Sequence, residues 1–98
     1  MIDRAAAKAI VQSRLDSQPS RVRIVVWDER TIEKPYGWVF YWQSEDFLRT
    51  GNPMDQLIGN GPVLVLNSGE IVHLRPVRVR EQLERFERAT QWEDEGPH

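Results

Sequence analysis

The 98-residue chain contains no cysteine and only two histidines, His73 and His98. The first absence excludes disulfide bonds, thiol nucleophiles and thiolate ligands, and two histidines supply too few nitrogen ligands for a zinc centre. We therefore expect neither a metal nor a cofactor. No apolar run approaches the roughly 20 residues that cross a bilayer, and residues 1–9 lack the apolar stretch of a signal peptide, so we expect a cytoplasmic protein.

Residue patterns that carry catalysis are also missing. His73 alternates with Val72 and Leu74, which is typical of a histidine on the face of a strand. No serine lies in a motif that supplies a base or an oxyanion hole. Residues 59–62, Gly-Asn-Gly-Pro, lack the Lys-Ser/Thr pair of a phosphate loop, and the acids are not spaced as a calcium loop. The sequence predicts no catalytic residue and a protein that is not an enzyme.

The chain has no excess of basic residues, and its formal net charge is −2. Residues 28–70 contain seven acidic and three basic side chains, and residues 81–98 contain six and two. Proteins that hold a phosphate backbone usually present a basic face. The charge distribution therefore favours protein partners, above all basic ones. It argues against nucleic acid as a partner, and we expect no membrane partner.

Hydrophobic periodicity predicts a single α+β domain over residues 1–92, followed by a frayed acidic tail at 93–98. The sheet is expected to have four antiparallel strands, packed by the N-terminal and C-terminal helices on one face, with a short helix between the two hairpins. The predicted elements are, in order, a helix capped by Asp3, strands at 21–27 and 36–42, a short helix capped by Ser44 and ended by Gly51, strands at 63–66 and 71–75, and a helix from Val79.

The second predicted strand is unusually aromatic. Residues 34–41, Lys-Pro-Tyr-Gly-Trp-Val-Phe-Tyr, approach the octapeptide of RNA recognition motifs, whose aromatic side chains stack on bases. Pro35 replaces a glycine of that motif and Trp38 replaces a phenylalanine, and the elements before the strand are in the wrong order. We therefore expect these rings to pack in the core or on a sheet face, with RNA binding as the less favoured alternative.

Three segments taken in order resemble the YrhB-like immunity protein 35 family: residues 32–41, 57–65 and 68–70. The resemblance covers roughly residues 3–90. It implies a small cytoplasmic bacterial protein, encoded beside a polymorphic toxin, that protects its producer by binding that toxin. It also implies a protein without catalytic residues, in which these signature positions are structural: Gly37, Trp38, Gly59, Gly61 and Gly69.

Our hypothesis for the mechanism is an acidic surface, from residues 28–33 and 44–55, with an aromatic anchor at its centre. Such a surface would steer a basic target and then hold it. A chaperone-like protein-binding domain follows from the same physics. A homodimer is also possible if the aromatic strand lies at a sheet edge. The candidate partner-binding residues are Asp28, Glu29, Glu33, Trp42, Glu45, Asp46 and Trp92.

Overall fold

The structure is a computed structural model that describes residues 1–90. Among these residues, no helix combines the length and apolarity needed to cross a bilayer. The helices are α1 (Arg4–Ser17), α2 (Glu45–Thr50) and α3 (Val79–Ala89), with short 3-10 turns at Asp28–Arg30 and Pro53–Asp55. The strands are β1 (Ile24–Val26), β2 (Ile32–Lys34), β3 (Gly37–Phe40), β4 (Trp42–Ser44), β5 (Val63–Leu66) and β6 (Ile71–His73).

The strands form two antiparallel sheets. The larger sheet has the order β2-β3-β5-β6, and β1 pairs with β4 in a separate two-stranded ladder. The aromatic strand predicted at 36–42 is thus two strands that meet at Tyr41, and each half pairs with a different neighbour. The first predicted hairpin is shifted in register: β1 pairs with β4 from Val26 opposite Trp42 to Ile24 opposite Ser44, so its partner strand begins where the predicted one ends. Residues 32–34, which fall between the two predicted strands, form β2 and pair with β3.

Because β3 lies between β2 and β5, its edges are both occupied. The β3 part of the aromatic strand therefore has no free edge for a second copy, whereas Trp42 lies in β4, which pairs with β1 alone, and the homodimer stays a prediction. Within the described residues the edge strands of the larger sheet are β2 and β6.

The helices cover opposite faces of the larger sheet. Phe40 packs with Val63 against α1, whereas its neighbour Val39 packs with Leu64 against Leu83 of α3. The prediction that both helices cover one face of the sheet is wrong. Successive residues of β3 and β5 are apolar, so these strands have apolar side chains on both faces of the sheet. A strand with apolar side chains on both sides needs cover on both faces. The α+β class, the antiparallel pairing and the packing by the two terminal helices are confirmed.

Both predicted helix caps are present. The Asp3 carboxylate accepts a hydrogen bond from the Ala6 N–H at 2.8 Å, and the Ser44 hydroxyl accepts one from the Phe47 N–H at 3.0 Å. Gly51 ends α2 in the left-handed conformation, with φ of 73°. The cap residues predict the helix starts correctly because the first N–H groups of a helix have no partner within the helix and need one from a nearby side chain.

Two of the glycines in the segments that carry the resemblance are explained by close packing of backbone. A Cβ atom at Gly37 would lie 2.2 Å from the carbonyl oxygen of Val65, and one at Gly61 would lie 1.9 Å from that of Leu74. No side chain fits at either position unless the neighbouring strand moves. The glycines therefore permit β3 and the end of the loop before β5 to approach their neighbours.

Candidate partner-binding surface

The structure places the first acidic segment beside α1. Asp28 Oδ2 lies 2.5 Å from Lys8 Nζ, and Glu33 Oε1 lies 3.1 Å from Arg4 Nη1. Glu29 is exposed and makes no ion pair within residues 1–90. The negative charge of this segment is therefore partly balanced by basic side chains that are distant in sequence.

The second acidic segment forms the first turn of α2. Glu45 Oε2 lies 3.4 Å from Arg23 Nε, and Asp46 Oδ1 lies 2.9 Å from Arg49 Nη2. A hydrogen bond and the charge of Asp46 raise the pKa of Arg49 above its usual value, and the charges of Asp55 and Glu45 add to this effect. Three carboxylates therefore lie near one guanidinium at this end of α2.

Trp42, predicted as the aromatic anchor, makes most of its contacts within the fold. Its ring is half-buried and packs against the cluster beneath α1. The indole N–H donates a hydrogen bond to the Gly61 carbonyl at 3.0 Å, and the Trp42 carbonyl accepts one from the Asn60 side chain at 2.8 Å. Trp92, the other predicted anchor, lies outside the described residues.

A cluster that the sequence analysis missed stands where β1 meets β4. The guanidinium carbon of Arg30 lies 4.4 Å from the ring centroid of Tyr41 and 5.2 Å from that of Trp27. We refer to these three residues as the Arg30 stack. The Trp27 N–H donates to the Tyr41 carbonyl at 2.7 Å, which brings the two rings to the same end of the ladder. Trp27 also meets Phe47 edge to face, with ring centroids 6.1 Å apart.

The Arg30 stack has the composition of an interface hot spot. Tryptophan, tyrosine and arginine are the residues most enriched where binding energy concentrates. Arg30 is exposed and makes no ion pair within the described residues, so its N–H groups are available to a partner. Stacking on two rings orders the guanidinium beforehand, which reduces the entropy lost on binding.

The model of the family described as Immunity protein 35 matches residues 5–89. The chain belongs to the immunity protein 35 family. The match begins in α1 and ends at the last residue of α3, so it includes both sheets and the helices on both faces. The family resemblance of the sequence is confirmed, and its narrower YrhB-like label stays a prediction. No curated protein and no solved structure shows a significant match to the chain.

In this immunity protein 35 member, the surroundings of His73 and of the acidic residues bear on the catalytic and metal-binding alternatives. His73 is exposed on β6 and lines a cavity of about 140 Å³ with Arg14 and Trp42, and no carboxylate of residues 1–90 lines this cavity. Within residues 1–90, no three histidine, aspartate or glutamate side chains come together as metal ligands.

The RNA-binding alternative needs an open sheet face on which bases stack. Phe40 is fully buried and Trp38 packs against the same α1 cluster, while α3 covers the opposite face. Tyr36, Trp38 and Phe40 of the octapeptide therefore serve the core, and this observation counts against the RNA-binding alternative.

Proposed function

We propose that this chain is a non-catalytic immunity protein that binds a cognate bacterial toxin and neutralises it by covering a surface of the toxin. The observation that carries the proposal is the family match over residues 5–89. We expect the partner to be a polymorphic toxin encoded by a neighbouring gene, and we expect the complex to form in the cytoplasm.

The surface that best fits this role is centred on the Arg30 stack. Trp27 contacts both Arg30 and Phe47 of α2, and these contacts support a surface that includes both acidic segments. Asp28 and Glu29 lie on the Arg30 side, and the α2 segment adds Glu45 and Asp46.

In this arrangement the two groups of residues have different tasks. The acidic rim attracts a basic patch on the toxin and raises the association rate. The ordered arginine and rings at the centre become buried and lower the dissociation rate. Trp42, which bonds to Gly61 and Asn60, holds β4 and the loop before β5 in position, and its part in contacting the toxin stays a prediction. Glu33, paired with Arg4, lies at the margin of this surface.

The experiment is co-expression of the chain with the polypeptide encoded by the adjacent gene, each under its own inducer. We expect the neighbour alone to stop growth, and the chain to restore growth and to co-elute with the neighbour from a size-exclusion column. A frame-shifted copy of the chain is the control. A neighbour that is harmless, or that stays toxic beside the intact chain, would refute the proposal. Equal protection against an unrelated toxin would indicate the chaperone-like alternative instead.

A further inference from the structure

The loop between α2 and β5, residues 52–62, presents two large apolar side chains to solvent. Met54 is 89% exposed and Ile58 is 87% exposed. We refer to these two side chains as the apolar tips. Single exposed apolar residues are common on protein surfaces, so exposure alone assigns no role to them.

The backbone that holds the apolar tips is fixed to β4 by buried polar side chains. Gln43, only 4% exposed, donates to the Leu57 carbonyl at 3.0 Å and accepts from the Leu57 N–H at 2.6 Å. The Ser44 hydroxyl donates to the Asp55 carbonyl at 2.6 Å. The stretch between the two tips is therefore anchored at Asp55 and again at Leu57.

The loop is also closed by bonds of its own. The Asn52 side chain accepts from the Met54 N–H at 3.0 Å, and the Gln56 N–H donates to the Pro53 carbonyl at 3.2 Å. A loop that serves only as a connection does not need buried polar groups to fix its backbone. This loop is fixed in that way, although its apolar side chains face water. A side chain held on an ordered backbone loses less entropy when a partner covers it.

Carboxylates lie on the loop that carries the apolar tips and on the helix against which that loop packs. Asp55 lies between them in sequence and makes no ion pair within the described residues. The 3-10 turn at Pro53–Asp55 packs against α2, which carries Glu45 and Asp46. The apolar tips and these nearby carboxylates together complement a partner surface that has an apolar socket with lysine or arginine at its rim.

We propose that Met54 and Ile58 form a second anchor of the toxin interface and insert into an apolar socket with a basic rim on the toxin. The inference rests on the proposed function and extends its surface from the Arg30 stack, through α2, to the 52–62 loop. A second copy of this chain is a poorer occupant, because a two-fold contact would place Asp55 against Asp55.

The test compares the wild-type chain with a Met54→Ser/Ile58→Ser double variant, using the purified polypeptide of the adjacent gene as the probe. Val77→Ser is the matched control, since Val77 is 63% exposed on the loop before α3. We expect the double variant to dissociate about tenfold faster or more, because covered apolar anchors act mainly on dissociation. Its melting temperature and the behaviour of Val77→Ser should match the wild type.

The outcomes separate the inference from the proposed function. Wild-type binding with a dissociation constant that the double variant leaves unchanged would overturn the inference alone. A wild-type dimer that the double variant converts to a monomer, with toxin binding intact, would assign the tips to self-association and also overturn it. If the wild-type chain does not bind the probe, the proposed function fails and the inference fails with it.

Discussion

The side chain of Gln43 and the backbone of Leu57 exchange two hydrogen bonds, at 3.0 Å and 2.6 Å, in the way that paired strands exchange amide groups. A primary amide has a donor and an acceptor side by side, so one buried side chain replaces a strand neighbour. The consequence is that a loop outside both sheets is attached to β4 by a donor and an acceptor, as a neighbouring strand would be.

Replacing Gln43 with methionine should free the 52–62 loop. The free energy of unfolding should fall by about 2 kcal/mol, because the Leu57 N–H and carbonyl lose their partners. Amide hydrogen exchange at Leu57 should become faster. Denaturant unfolding and exchange measured by NMR check both effects. Gln56→Met, at an exposed position, is the control. Unchanged exchange at Leu57 would show that Gln43 does not hold the loop.

Gly37→Ala should destabilise the fold severely. The added Cβ would meet the Val65 carbonyl oxygen at 2.2 Å, so β3 and β5 must separate, and we expect a loss of about 3 kcal/mol. Gly51→Ala is the comparison, because Gly51 has φ of 73° and open space around it. In Gly51→Ala the alanine must adopt the left-handed conformation, which should lower the free energy of unfolding by about 1 kcal/mol. Equal losses, measured by urea denaturation, would contradict the close-approach explanation.

Thr31→Val should stabilise the protein. The Thr31 hydroxyl oxygen is buried without a hydrogen-bond partner among the described residues. Removing it should raise the free energy of unfolding by about 1 kcal/mol. Thr50→Val is the matched control: its hydroxyl donates to the Asp46 carbonyl at 2.9 Å, so this change should destabilise. A loss of stability in Thr31→Val would mean that the hydroxyl has a partner in solution.

Arg30→Ala should weaken toxin binding far more than it weakens the fold. We expect the dissociation rate to rise about tenfold, as for a central interface arginine. The free energy of unfolding should fall by less than about 1 kcal/mol, the worth of an exposed cation–π contact. Surface plasmon resonance and denaturant unfolding measure the two quantities. Arg85→Ala, exposed on α3, should change neither. Wild-type kinetics for Arg30→Ala would remove the Arg30 stack from the interface.

A triple variant, Glu29→Gln with Glu45→Gln and Asp46→Asn, should bind the toxin several-fold more slowly at low ionic strength. The difference should shrink as salt screens the rim charges. The matched control neutralises Glu70, Glu81 and Glu84, which removes the same formal charge elsewhere. An equal decrease in both triple variants would mean that net charge, and not this surface, sets the association rate.

Local signals predicted much of the fold. Asp3 and Ser44 mark helix starts because their side chains accept hydrogen bonds from N–H groups three residues ahead, and Gly51 marks an end for a similar local reason. The two covered faces and the break at Tyr41 depend on which strands pair. Strand pairing joins residues distant in sequence, and periodicity describes each strand alone.

The candidate surface was less predictable for the same reason. Segment charges suggested a continuous acidic surface, but Lys8 balances Asp28 from 20 residues away. The Arg30 stack depends on Trp27 and Tyr41 meeting across the β1 and β4 ladder. Met54 is apolar in sequence whether a loop buries it or exposes it, so only the structure distinguishes the two.

The central claim is that the chain neutralises a toxin by occupying it, and titration tests this most directly. A fixed amount of the purified adjacent-gene polypeptide is mixed with increasing amounts of the chain, and residual toxic activity is measured. The account predicts a linear loss of activity that ends at a fixed molar ratio and does not depend on incubation time. Complete inactivation by a small fraction of an equivalent, progressing with time, would show turnover and contradict the account.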